Sequence, residues 1–234
     1  MRANPKSIAL RGMIDSAPFL LVVVPFGFLF GVVAAEAGLD LVETMAMTIL
    51  VIAGAAQFTA LQQMIADAPV FMVIITALAV NLRMAMYSAS LTPWIGKAPL
   101  WQRALAAYMM VDQAYLLSHM KYEAEPELRV AERVRYYFGT LILIAPLWYA
   151  AGLAGALVGK TVPDAWALDF AMPITFLAML APMVRTLAHL AAAMTSVVVA
   201  LLLSGLPFGS GLLVAAGAAM AVGAGVEVLM ERRQ

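Results

Sequence analysis

Cysteine is absent from this sequence, which removes disulfides and thiolate metal sites and leaves the redox compartment undetermined. Two histidines are too few to build a dedicated zinc site. Charge is scarce at 12% of residues and cancels to a formal net of zero, so the composition does not suggest a nucleic-acid binder. The sequence also lacks a phosphate loop of Walker type, a nucleophile elbow, an HExxH pair and a DxxxD cluster, so neither ATP driving nor an enzyme is expected. No cofactor is expected.

What remains is oil. Of the 234 residues 64% are hydrophobic, and the mean hydropathy is +0.93. A soluble domain is about half apolar and about a quarter charged, so this balance predicts a polytopic membrane protein. Arg2, Lys6 and Arg11 before the apolar run 17–35 superficially imitate a secretion signal. The run is long for that role and further runs follow it, so it is read as a membrane helix.

A helix needs roughly 20 apolar residues to cross the hydrocarbon core. Windows of that kind fall at 17–35, 44–65, 69–92, 101–120, 136–158, 165–184, 186–204 and 208–230. The expected fold is therefore an all-α membrane bundle forming one domain over residues 1–234, with about eight transmembrane helices, both termini cytoplasmic and some helices broken by Pro or Gly. This count puts ten cations inside, namely Arg2, Lys6, Arg11, Lys121, Arg129, Arg133, Arg135, Arg185, Arg232 and Arg233. Lys97, Arg103 and Lys160 fall outside, as the positive-inside tendency prefers. Seven spans is the alternative. The mixed-charge stretch 121–135 reads as a solvated loop or helix extension. A short internal echo pairs Pro25 and Gly31 with Pro146 and Gly152.

Three polar features interrupt the apolar runs. Pro25-Phe-Gly27 and Ala53-Gly-Ala-Ala56 before Gln57 weaken the helical ladder, so backbone amides near Gly54 to Gln57 are candidates to face a cavity. Asn81 and Arg83 stand deep in the third window, where a charge costs at least about 2.5 kcal/mol unless compensated. Arg83, Tyr87 and Ser90 follow i, i+4 and i+7 and share one face. In the fourth window Tyr108, Asp112, Tyr115 and His119 form a similar series. Asp112 is the carboxylate at the depth of Arg83, and the two are expected to pair. Each feature also has a purely structural reading as a helix-packing contact. Thr175, Met179, Pro182 and Thr186 lie at helical spacing beside Pro173 and suggest a cavity wall, while Arg185 with His189 reads as interfacial.

Taken in order, Pro25-Phe-Gly-Phe-Leu-Phe-Gly31, the IAGAAQF run to Phe58, Asn81-Leu-Arg83 with Tyr87-Ser-Ala-Ser90 and Pro93, Asp112-Gln-Ala-Tyr115, and Leu168-Asp-Phe-Ala-Met-Pro173 resemble the AzlC family. That family is the large subunit of two-component branched-chain amino acid exporters. The resemblance covers about residues 12–190. The chain departs from the family pattern at Met84, where histidine is common, and at Gln113, where an acid is frequent. A proton-coupling role leaning on those groups is therefore not implied. The resemblance implies ion-gradient-driven export of valine, leucine, isoleucine or methionine across the cytoplasmic membrane with a small four-span, AzlD-like subunit. Joined to the polar features, it makes Gly54, Gln57, Asn81, Arg83, Tyr87, Asp112 and Tyr115 the candidate substrate-binding residues. Arg83 and the amides near Gly54 would meet the carboxylate, and Asp112 the ammonium. A structural or regulatory membrane partner is the second reading, and a membrane enzyme acting on lipid or isoprenoid substrates the third.

Overall fold

The computed structural model describes residues 5–159, 184, 186–206 and 210–231. Helices dominate, and among the described residues there is no strand. In chain order they are α1 (Pro5–Ser16), α2 (Leu20–Glu36), α3 (Leu41–Leu50), α4 (Gly54–Ile65), α5 (Val70–Ile95), α6 (Leu100–Tyr108), α7 (Asp112–Ala124), α8 (Val130–Gly159), α9 (Leu187–Leu202) and α10 (Ser210–Glu231). A single 3-10 turn, Ala17–Phe19, joins α1 to α2. Four stretches are long and apolar enough to cross a membrane: Ile8–Glu36, Val70–Ile95, Val130–Gly159 and Ser210–Met230. The window 165–184, the proline and threonine positions within it, Lys160, Arg185 and the terminal arginines lie outside the described residues.

The chain divides into two compact units, Met1–Phe58 with Val80–Pro163, and Thr59–Ala79 with Asp164–Gln234. In the second, α9 and α10 form an antiparallel pair in which Gly223 packs on Ala192 and Gly211 on Leu203. Thr186 starts α9 by accepting from the His189 backbone N–H at 3.2 Å.

The first unit is built on the long pair α1–α2 against α8. Close approach needs glycine here: a Cβ on Gly31 would strike the Gly152 carbonyl, and one on Gly155 the Phe28 carbonyl. Small residues let two backbones touch where lipid offers no hydrophobic gain for burying larger side chains. The order of contacts, Gly12 on Tyr136, Gly27 on Trp148 and Ala151, and Gly159 on Val32, makes the two helices parallel. The two echo segments thus pack along one another, Gly31 directly on Gly152.

Two of the expected spans are not continuous. The window 44–65 breaks at 51–53 between α3 and α4, and the window 101–120 at 109–111 between α6 and α7. The second break changes the topology. Arg133 at the start of α8 donates to the Trp94 carbonyl at 3.2 Å, so the end of α5 lies at the start of α8. Tyr122, near the end of α7, donates to the Arg133 carbonyl at 2.7 Å, and its ring lies 6.0 Å from that of Trp94. Further along, Arg83 of α5 bonds Asp112 at the start of α7. Helices α5 and α7 therefore run in the same direction. The chain from Trp94 must climb back the roughly 16 Å that α5 descended from Arg83. Helix α6 does this, and its nine residues rise only about 13 Å, half of a bilayer core. The α6–α7 segment enters and leaves at one end instead of crossing.

Lys97 and Arg103 consequently share an end with the stretch 121–135, contrary to the sequence expectation. That stretch is a helix extension, continuing α7 and opening α8. It is closed by Lys121–Glu125 at 2.6 Å and Arg129–Glu132 at 2.9 Å. In this unit every Lys and Arg side chain described, apart from Arg83, gathers at this end. The opposite end carries Glu36, Asp40 and Glu43, where a reciprocal Asp40–Glu43 capping box starts α3. Helix α3 then dips inward, its Thr48 meeting Gly152. Gly54 lies on Phe26, and Phe58 sits 4.9 Å from Phe26 and 5.5 Å from Phe30. Its first turns thus follow α2 in α2's own direction. Two half-helix hairpins therefore dip in from opposite ends.

The absence of cysteine makes this topology directly measurable. Single-cysteine variants Lys97→Cys and Glu127→Cys will react with a membrane-impermeant maleimide from the same side, and Glu36→Cys from the other. Labelling of positions 97 and 127 from opposite sides would restore α6–α7 to a full crossing.

Candidate functional site

Helix α5 is continuous through Asn81 and Arg83, so its periodicity alone decides which groups share a face. Arg83, Tyr87 and Ser90 are half-buried along one stripe, whereas Leu82 and Met86 on the other side are 58% and 72% exposed. The polar stripe faces protein and the apolar residues face outward, as lipid requires.

Asp112 meets this stripe because the chain breaks just before it. Val111 is extended at φ −130° and ψ 156°, and Asp112 is the first residue of α7. A carboxylate at a helix start is favoured by the unpaired N–H groups there. Arg83 Nη1 and Asp112 Oδ2 stand 3.1 Å apart, with side chains 27% and 35% exposed. The pair leaves capacity unused: Arg83 Nε, Asp112 Oδ1 and Asn81 Oδ1 are buried without a hydrogen-bond partner. Below it the Tyr87 and Tyr115 rings stack at 4.0 Å and 8°, and the Tyr115 hydroxyl reaches Ser90 Oγ at 3.2 Å. The Tyr87 hydroxyl lies in the field of both Asp112 and Arg83.

The break corrects the expected face of the fourth window. Tyr108 belongs to α6 and not to the helix of Asp112, and its hydroxyl donates to the Ile49 carbonyl at the end of α3. This bond ties one half-helix hairpin to the other and satisfies a carbonyl that α3 leaves open. Asp112, Tyr115 and His119 do remain on one face of α7. His119 lies 5.5 Å from Tyr115 by ring centres and 3.4 Å from the Glu123 carboxylate toward the cation-rich end.

Gly54 and Gln57 form a second group. Gln57 is fully buried, and neither atom of its side-chain amide has a partner. Its backbone N–H is bonded to the Ala53 carbonyl at 3.0 Å, so it is not among the freed amides expected from sequence. Gly54 packs on Phe26 and on Trp148, the latter 3.0 Å from where a Cβ would stand. Arg83, Tyr87, Asp112 and Tyr115 are thus brought together, with Asn81 one turn-fraction away on α5. Gly54 and Gln57 sit in an aromatic setting of their own, related to the first group through the Tyr108–Ile49 bond between the two breaks. Trp148 and Tyr108 were not found from sequence as site residues. Both look like ordinary aromatic filling until the chain is folded.

Known proteins bear on the chain as follows. The family model described as "AzlC protein" matches residues 18–162, a stretch containing every candidate residue above. A membrane protein of Archaeoglobus fulgidus is 29% identical over 212 residues, 86% of this chain and 87% of that one. A Helicobacter pylori membrane protein is 27% identical over 173 residues, 72% of this chain and 74% of its own. The Escherichia coli "Inner membrane protein YgaZ" is 24% identical over 181 residues, 73% of this chain and 71% of that protein. No solved structure matches.

Neutralising one partner of the ion pair strands the other charge in an apolar setting. Arg83→Gln and Asp112→Asn will therefore each lower the thermal midpoint of the purified protein. The double variant will recover part of the loss, with a coupling of about 0.5–3 kcal/mol in the cycle. Simple additivity would show that the two charges do not stabilise one another.

Proposed function

Because the chain belongs to the AzlC family, we propose that it is the large subunit of a secondary transporter exporting valine, leucine, isoleucine or methionine across the cytoplasmic membrane. It works with a small four-span membrane subunit and performs no enzymatic step. The coarser part is secure: it is a multi-pass membrane protein of a family related to transport. The observation supporting the finer reading is the Arg83–Asp112 pair at 3.1 Å, held at a helix break with hydrogen-bonding capacity left on both partners.

A free amino acid presents a carboxylate and an ammonium a few bonds apart, the complement of this pair. On binding, Arg83 exchanges the Asp112 carboxylate for that of the substrate, and Asp112 exchanges Arg83 for the substrate ammonium. No charge is left alone at any stage, which keeps the cost of the exchange low. Asn81 and the Tyr87 hydroxyl supply neutral hydrogen bonds beside the pair, and the stacked Tyr87 and Tyr115 rings wall it. Broken helices near mid-depth and duplicated halves are features that secondary transporters use to build such sites. The positive-inside tendency makes the cation-rich end of the first unit cytoplasmic.

Efflux from cells preloaded with a leucine-containing dipeptide, expressing this chain with the small subunit, tests the proposal. Asp112→Asn and Arg83→Gln will each reduce efflux by at least about tenfold at normal expression, the loss of one charge-assisted hydrogen bond or more. Wild-type rates in both variants would end the proposal and favour a structural or regulatory partner whose charges only fix helix packing.

A further inference from the structure

A fully buried side-chain amide with no hydrogen bond is costly, and native structures seldom leave one without a reason. Gln57 is 0% exposed, and both its Oε1 and Nε2 lack partners. It does not stand alone. Trp148, 6% exposed, has an equally buried and unpartnered indole N–H. The two residues reach the same place from different helices, since Gly54 at the start of α4 rests against both Phe26 and the Trp148 ring. Side chains on a helix lean toward its N-terminus, so Gln57 leans back over the first turn of α4, the turn that Gly54 opens. The Phe26 ring lies 6.1 Å from Trp148 and 4.9 Å from Phe58, and Phe30 closes the group 5.5 Å from Phe58.

The chemistry is one-sided. Two side-chain N–H groups stand at the positive end of a 12-residue half-helix, inside aromatic walls and away from any described carboxylate. Donors and a helix dipole of that sign select an anion, and the walls select an apolar tail. A metal cation is excluded by the same dipole and by the lack of anionic ligands.

We infer that Gln57, Trp148 and the first turn of α4 form an enclosed subsite for a small branched aliphatic carboxylate, a station distinct from the more open Arg83–Asp112 pair. Gln57 Nε2 and Trp148 Nε1 donate to the carboxylate, while Phe26, Phe30 and Phe58 hold the branched tail. The inference rests on the transport reading only in identifying that carboxylate with an amino acid's own. Gly54 is required because any side chain there would occupy the space of the Phe26 ring.

Isovalerate is the probe, since it has the carboxylate and the branched tail but no ammonium for Asp112. Its binding to the purified full chain in lipid nanodiscs, followed by tryptophan emission and by thermal shift, separates the two stations. Trp148→Phe keeps an aromatic ring and removes the donor; Gln57→Leu keeps the volume and removes the amide. Each will weaken isovalerate by about tenfold or more, the loss of one hydrogen bond to a charged group. Asp112→Asn will leave its affinity within about twofold, well under the 1.4 kcal/mol that a tenfold change represents. Isobutylamine, which carries the tail with the opposite charge, will not compete.

Absence of isovalerate binding to the wild type, or binding that ignores both substitutions, would overturn the subsite. A rise in thermal midpoint in Gln57→Leu with unaltered isovalerate affinity would assign the amide to a buried water instead, and would overturn it equally. A chain that binds isovalerate as described yet exports no amino acid keeps the subsite and discards the transport reading. A chain whose efflux depends on Arg83 and Asp112 but which is indifferent to Gln57 and Trp148 does the reverse.

Discussion

An arginine cannot be left in hydrocarbon, and a helix cannot stop there without something to receive its open ends. The Arg83–Asp112 contact meets both demands at once. The break before α7 supplies a helix start that welcomes a carboxylate, and that carboxylate receives the guanidinium from α5 at 3.1 Å. Remove the break and Asp112 becomes a mid-helix anion facing a different direction. Remove the pairing and α5 must turn its polar stripe elsewhere, taking the Tyr87–Tyr115 stack with it. Half-burial of the two charged groups is what distinguishes a serviceable site from a mere staple, since a fully enclosed pair is expensive to separate.

Around this pair the first unit obeys the rule that irregular backbone at membrane depth must be wrapped in protein. Both helix breaks lie against other helices of the unit. Ile52 and Ala53 in one break and Met110 in the other are buried, and Tyr108 carries the open Ile49 carbonyl. The wrapping depends on α2 and α8 approaching at glycine distance, because only then do Phe26 and Trp148 project together over the start of α4. Thr44 and Thr48 close their hydroxyls onto carbonyls within α3 at 2.9 and 2.8 Å, so that half-helix carries no free donor.

The cation-rich end is built differently. Its charges are held by local partners and by aromatic faces, with the Arg133 guanidinium 4.8 Å above the Trp94 ring and 5.9 Å from that of Tyr122. Tyr136 donates to Asp15 at 2.7 Å, and Tyr137 to the Ala106 carbonyl at 2.8 Å, joining α1 and α6 to α8. These contacts hold the outer limbs of the α6–α7 hairpin, so that its apex, and Asp112 with it, is set at a defined depth.

Composition and periodicity alone determined that this is a helical membrane protein, that Arg83, Tyr87 and Ser90 share a face, and that Asp112 is the natural partner of Arg83. These follow from local rules: a charge in oil needs its opposite, and a helix repeats every 3.6 residues. The Gly54 break was legible because glycine after an apolar run weakens a helix visibly. The break at 109–111 was not, since Met-Met-Val carries no such mark and an unbroken apolar window looks the same whether it crosses or turns back. Only the tertiary structure decided that, by bringing Trp94, Tyr122 and Arg133 to one end. It alone also placed Trp148 beside Gly54, because a contact across more than ninety residues depends on how two glycine-lined helices meet and leaves no trace in either segment by itself.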